Sequence, residues 1–287
     1  MAERVDIVEM APRDGLQNEA RFIATADKIA LVDALSDAGF SRIEVASFVS
    51  PKWVPQMADG GAVLAGIARR PGTRYAALTP NLQGFQAAFA AGVDEVAIFA
   101  SASEGFSRAN LNCTIAESLA RFAPVLQAAQ AALLPVRGYV SMVTDCPFEG
   151  AIAPEKVAQV VAALRDLGCY EVSLGDTIGQ GRPETVTAML RAVLNEMPPA
   201  RLAGHFHDTA GRALENIEAS LALGLRVFDA AAGGLGGCPY APGAAGNVAT
   251  EKVAARLWAL GYDTGLDPVA LARAAALARK LKGGQDV

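Results

Sequence analysis

The feature that most constrains the fold is an alternation that runs the length of the chain. Short apolar, β-branched runs recur at Val5–Glu9, Arg42–Ala46, Tyr75–Leu78, Glu95–Phe99, Val136–Val143, Tyr170–Leu174, Leu202–His207 and Arg226–Ala230, and helical patterns fill the intervals. Strands this apolar cannot expose either face, so the succession requires a parallel sheet covered by helices. Eight strands is the number at which a closed barrel just fills its interior with side chains. No G-x-G-x-x-G follows the first strand to suggest an open, doubly wound dinucleotide fold. The expectation is therefore an α/β chain forming a single (β/α)8 TIM barrel over residues 1–287, with C-terminal helical additions.

Local signals agree with this. Thr25 is placed to cap a helix whose apolar face is Ile29, Val32 and Leu35, and Gly39 stands where a left-handed C-terminal cap belongs. Pro154 suits a first helical turn and Gly168 a helix end, and they bracket Val157, Val160, Val161 and Leu164. Glu184–Met197 and Arg212–Leu223 have the same spacing, and the tail Lys280–Val287 is expected to fray. With 287 residues, of which 52% are hydrophobic and 19% charged, the chain can bury a large core.

Composition also limits the partners. A formal net charge of -5 without a clustered basic stripe argues against nucleic acid, so an anionic substrate needs a local basic site. Cys113, Cys146, Cys169 and Cys238 form no C-x-x-C pair and read as reduced thiols. The start, MAERVDIVEM, carries charges and no apolar leader core, and no run of about 18 apolar residues occurs, so a cytoplasmic chain with no membrane partner is expected.

Barrel enzymes place their chemistry at the C-terminal ends of the strands, and the unusual polar residues of this chain sit there. Strand 1 ends in Arg13-Asp14-Gly15, strand 2 in Glu44-Val-Ala-Ser47, strand 6 in Gly175-Asp176-Thr177 and strand 7 in His205-Phe206-His207-Asp208. The only two histidines stand two residues apart, so a strand points both to one face, here the barrel mouth, and turns Phe206 toward the helices. Two imidazoles buried together without partners are costly, whereas neutral imidazole is a common metal ligand. Carboxylates and amides accompany them rather than a cysteine pair, which favours Mg2+ or Mn2+; Zn2+ also suits two histidines and a carboxylate. Asp14 is the carboxylate of choice, and Arg13, always protonated, can hold negative charge developing on an oxygen. The glycine-rich segment 233–247 carries Cys238, a candidate lid-borne acid or base, and Asn247; Glu251, four residues on, is placed to orient Asn247.

Four segments then resemble the 3-hydroxy-3-methylglutaryl-CoA lyase family: Pro12-Arg13-Asp14-Gly15-Leu16-Gln17-Asn18-Glu19, the run Ser47 to Asp59, His205-Phe206-His207-Asp208-Thr209, and Gly234-Leu-Gly-Gly-Cys238-Pro-Tyr240. The Arg-Asp and His-x-His motifs are shared with a wider superfamily of barrel lyases and Claisen synthases, whereas the Cys238 loop with Asn247 is closer to the lyase branch. The resemblance implies that Asp14, His205, His207 and Asn247 ligate a divalent metal and that Arg13 contacts the acyl-CoA carbonyl oxygen. It also implies that Cys238 is catalytic and that Glu44, Asp176 and Glu251 are acidic positions tied to activity. Gln17, Ser47 and Asn110 join Arg13 as candidate substrate-binding residues. Where some members have lysine after Glu19, this chain has Ala20 and then Arg21.

The implied reaction is retro-Claisen cleavage of 3-hydroxy-3-methylglutaryl-CoA to acetyl-CoA and acetoacetate, as in leucine degradation, with no nucleotide cofactor. Asp14 or a water is the candidate base, and His205 or Cys238 returns the proton to carbon. A homodimer or higher homo-oligomer is expected. One rival is a citramalate-like Claisen synthase, which usually carries a regulatory domain after its barrel, for which no residues remain here. Another is a lyase for longer 3-hydroxyglutaryl-CoA side chains; a third is a non-catalytic metal-binding barrel, which would show a broken site.

Overall fold

Residues 2–19, 21–237 and 246–282 are described by the structure, a computed structural model of the chain. All eight runs form strands: β1 (Asp6–Glu9), β2 (Arg42–Ser47), β3 (Arg74–Leu78), β4 (Glu95–Ser101), β5 (Val136–Ser141), β6 (Glu171–Asp176), β7 (Leu202–Phe206) and β8 (Val227–Ala230). Each pairs in parallel with its sequence neighbour, and β1 closes on β8 with Ile7 opposite Phe228 and Glu9 opposite Ala230. The result is a closed (β/α)8 barrel.

Among the described residues ten α-helices follow the strands: α1 (Thr25–Asp37), α2 (Gly60–Gly66), α3 (Leu82–Ala90), α4 (Glu104–Leu111), α5 (Ile115–Ala131), α6 (Pro154–Leu167), α7 (Pro183–Val193), α8 (Ala213–Ala222), α9 (Thr250–Ala259) and α10 (Pro268–Leu281). Helix α6 starts at Pro154 and ends on Gly168 at φ 109, a backbone angle that an L side chain rarely adopts. Helix α1 departs from its expected cap. Ala24 holds the N-cap position without a side-chain bond, and the Thr25 hydroxyl instead donates to Asp59, 2.7 Å away, because that half-buried carboxylate is already fixed by Lys28. Helix α10 runs through Lys280 to a buried Leu281, so fraying does not begin at Lys280; residues 283–287 lie outside the described part. Strand β5 stops at Ser141, two residues before its expected end, because Met142 turns the chain at φ 61. No helix among the described residues is long and apolar enough to cross a membrane.

Strand alternation divides the interior from the helical layer. Val172, Leu174, Phe206 and Phe228 join the large outer core, while Val8, Met10, Leu78, Ala97 and Tyr139 form a small apolar cluster inside. The remaining interior is ionic. Arg137 on β5 donates to Asp229 on β8 and to Glu171 on β6, each at 2.7 Å, and Arg42 on β2 reaches Glu171 from the opposite wall, also at 2.7 Å. Tyr139 on β5 donates to Glu44 on β2 at 2.6 Å and accepts from Arg137 at 2.8 Å. Strands that are not neighbours can only pair through the barrel, so these bonds brace it across its diameter. Arg137 is 1% exposed, and its removal takes a cationic partner from two buried carboxylates, Asp229 losing its only guanidinium among the described residues. Arg137→Met should therefore cost about 3–5 kcal/mol of unfolding free energy; a denaturant midpoint equal to wild type would contradict this bracing.

Candidate metal centre at the barrel mouth

Three segments meet above the ionic plug. After β1 the chain makes one π-helical turn, Ala11–Gly15, of the kind that often marks functional sites. It closes with the Gly15 N–H on the Met10 carbonyl at 3.0 Å and aims Arg13 and Asp14 at the mouth. Strand β7 delivers His205, and His207 follows one residue beyond its end. Asn247 arrives as extended chain before α9, bridged antiparallel to His207. Glycine permits the approach at two points. A Cβ on Gly15 would lie 2.8 Å from that of Leu235, and one on Gly236, at φ 112, would lie 2.6 Å from the Asn247 carboxamide.

The ligand-capable atoms of Asp14, His205 and His207 all lie within 4.8 Å of one another, a group able to hold a metal ion. The Asn247 carboxamide donates to Asp14 Oδ2 at 2.7 Å, so a fourth polar side chain adjoins the group. Asp229 lies 3.2 Å from His205 Nδ1. The charges of Arg137 and His205 outweigh burial and hold the Asp229 carboxyl well below its usual range, so it only accepts. The proton must therefore sit on Nδ1, which leaves the Nε2 lone pair on the Asp14 side. His207 Nδ1 is buried without a hydrogen-bond partner among the described residues. An orphaned imidazole nitrogen beside a carboxylate and a second imidazole fits a divalent cation better than it fits an apolar core.

Electrostatics separates the two imidazoles. Burial, reinforced by the adjacent His205, pushes His207 down to about 4. Burial also acts to lower His205, but the hydrogen bond and charge of Asp229, with the charge of Asp14, prevail and raise it above its ordinary value. Burial acts to raise Asp14, yet Arg13, both histidines and the Asn247 N–H hold its carboxyl far below the normal range.

The other candidate residues divide into those that touch this group and those that do not. Arg13, 6% exposed, donates through Nη1 to Asp14 at 2.6 Å and through Nε to Glu44 in a very short ion pair. Glu44 thus braces Arg13 from inside the barrel. Asp176 faces away from the group, taking the Thr144 hydroxyl and the Gln180 and Gly181 N–H groups, so it shapes the loop after β6. Glu251 does not orient Asn247. Asn247 precedes α9 and does not share its face, while Glu251 accepts from the Gly233 N–H and pairs with Arg279. Ser47 is buried at the end of β2, Gln17 lines a rim cavity of about 280 Å³, and Asn110 is exposed on α4. Cys238 lies outside the described residues.

Sequence reasoning passed over Arg137, Tyr139, Glu171 and Asp229, and also Glu9. A signal was present: Arg137 and Tyr139, and likewise Glu171 and Ser173, alternate with apolar residues on their strands, which puts them on one face.

A closed parallel barrel with a carboxylate, two imidazoles and an arginine at its C-terminal mouth is the arrangement of a barrel enzyme, common to lyases and Claisen synthases of this architecture. The comparisons with known proteins specify it further. The HMGL-like family model matches residues 4–278, and the chain belongs to that family. A lyase of Pseudomonas aeruginosa named for both 3-hydroxy-3-isohexenylglutaryl-CoA and hydroxymethylglutaryl-CoA is 58% identical, covering 94% of this chain and 90% of its own. The HMG-CoA lyase of Brucella melitensis superposes with a TM-score of 0.97 at 60% identity, over 99% of this chain and all of that one (100%). An Acinetobacter baumannii HMG-CoA lyase solved with coenzyme A and 3-methylmalate gives 0.93 at 40% identity, over 98% and 92%.

The two histidines allow a direct check by NMR in chelated protein. His205 should titrate above 6.5 and His207 near 4. The signs of their linkage to stability are opposite. The His205 contribution is present below its unfolded value and lost as pH rises through its raised folded value. His207 stays neutral in the fold while the unfolded chain takes up a proton, so it subtracts stability as pH falls from 6.5 toward 4. Two imidazoles titrating together near 6.5 would contradict the arrangement.

Proposed function

We propose that this chain cleaves 3-hydroxy-3-methylglutaryl-CoA to acetyl-CoA and acetoacetate, a step of leucine breakdown. The observation that carries this reading is the position of Arg13 beside Asp14 and both imidazoles, in a chain matching the family over residues 4–278. The cation assigned to Asp14, His205, His207 and Asn247 is Mg2+ or Mn2+, with Zn2+ also compatible, and when bound it would supply Lewis acidity that lowers the pKa of the substrate's tertiary hydroxyl.

The side chains have separate tasks in this scheme. Asp14, held strongly anionic, is assigned to ligation, and a water beside it, or Asp14 itself, would take the proton of the tertiary hydroxyl as the ketone forms. As the bond between the α- and β-carbons breaks, negative charge moves to the thioester oxygen, and a guanidinium that cannot lose its proton is suited to hold it there. Arg13 has Nε and Nη1 engaged by Glu44 and Asp14, while Nη2 has no hydrogen bond among the described residues and is free to reach that oxygen. Glu44, fixed by Tyr139, sets the tilt of the guanidinium. The proton returned to the enolate carbon would come from Cys238 or His205. A second substrate with a longer 3-substituent is favoured by the name of the Pseudomonas aeruginosa relative.

A coupled assay for acetyl-CoA and acetoacetate tests this reading. Chelation should abolish turnover and added Mg2+ restore it, whereas equal rates in both samples would remove the metal from the reaction. Arg13→Met should lower kcat by about 10²- to 10³-fold at unchanged metal stoichiometry. Retained turnover would refute the role assigned to Arg13. Parallel assays with the isohexenyl substrate decide the second reading.

A further inference from the structure

Glu9 ends β1, and unlike Val8 and Met10 it points out of the barrel into the helical layer, where it has no solvent exposure. Its Oε1 accepts the N–H of Ala11 at 2.8 Å and that of Ala232 at 2.9 Å, and its Oε2 lies 2.8 Å from the Thr250 hydroxyl. These partners belong to three separate segments of the mouth. Ala11 opens the π-helical turn and precedes Asp14 by three residues; Thr250 opens α9 and follows Asn247 by three; Ala232 begins the turn after β8. One carboxyl is thus the common anchor of two segments whose far ends meet in the Asn247–Asp14 hydrogen bond of 2.7 Å.

An apolar side chain at position 9 would avoid the cost of desolvating a carboxyl, but it would leave two buried N–H groups without acceptors. Burial, opposed by those N–H groups and the Thr250 hydroxyl, pushes the Glu9 carboxyl up to about 7. The neutral acid keeps the same shape and can donate to Thr250 rather than accept from it, and a glutamine reproduces that form.

We propose that Glu9 is a positioning residue of the metal centre: by tying the Ala11 turn to Thr250 and Ala232 it sets Asp14 against Asn247. The inference deepens the metal-centre reading and rests on it. It makes Thr250, which touches no candidate ligand, a determinant of cation affinity.

The test uses the full chain with Glu9→Ala, Glu9→Gln, Thr250→Val and wild type, each shown to be folded by circular dichroism. Mn2+ binding is followed by calorimetry, and amide exchange of segments 11–16 and 246–250 is measured in metal-free protein. Thr250→Val keeps both N–H bonds to Glu9 and so serves if Glu9→Ala does not fold. Thr250→Val and Glu9→Ala should bind Mn2+ about tenfold more weakly, the usual size of a supporting-residue effect, and Glu9→Gln should stay close to wild type. Amides of 11–16 should exchange faster in Thr250→Val although Thr250 has no hydrogen bond to any of them among the described residues. Wild-type Mn2+ affinity in folded Thr250→Val, with unchanged exchange at 11–16, overturns the proposal. If wild type itself takes up no Mn2+, the metal reading fails, and the exchange rates alone decide whether Glu9 couples the two segments.

Discussion

The rest of the structure depends on a pair that crosses the barrel, the Arg137 guanidinium of β5 and the Asp229 carboxylate of β8, 2.7 Å apart and sealed from water. Buried charges of this kind are tolerated only when every partner is present. Here the partners form a circuit. Asp229 accepts from Ser173 and fixes His205; Arg137 holds Glu171 and Tyr139; Tyr139 holds Glu44; and Glu44 braces Arg13, which returns to Asp14. From Arg13 to Glu171 the circuit contains the carboxylates of Asp14, Glu44, Glu171 and Asp229 against the guanidiniums of Arg13, Arg42 and Arg137. The surplus negative charge falls beside the imidazoles, and it raises His205 above its ordinary pKa in the absence of a cation. The same excess makes the mouth a place where a divalent ion is electrostatically complementary.

Such a circuit is rigid for a simple reason. Each member is held by at least one partner from a different strand, so no single rotamer can change without exposing a charge to a low dielectric. An enzyme that must keep ligands and a guanidinium in fixed relation gains preorganisation from this, at the cost of an interior less apolar than the branched side chains that usually fill such barrels. The glycines at 15 and 236 complete the arrangement by letting the turn after β1 and the loop after β8 come closer than any side chain would allow.

Much of this was legible in the sequence. The eight strands, the helix from Pro154 to Gly168, the shared face of His205 and His207, and the outward Phe206 all follow from local periodicity, which a chain carries within a few residues. What escaped was long-range. Arg137 and Asp229 lie 92 residues apart, and nothing near either one announces the other. Glu9 looked like the end of a strand because its partners at Ala232 and Thr250 are more than 220 residues away. Glu251 was misassigned because helical spacing was extended back to Asn247, where the chain is still extended and paired with His207. Thr25 failed as a cap because a tertiary carboxylate outcompeted the backbone for its hydroxyl.

The central claim is spatial: residues from β1, from β7 and from the segment before α9 share one cation. Anomalous diffraction from crystals grown with Mn2+ measures this directly. The account predicts a single strong peak within bonding distance of the side chains of Asp14, His205, His207 and Asn247. A fully occupied Mn2+ site elsewhere, with no peak between these four residues, would contradict it.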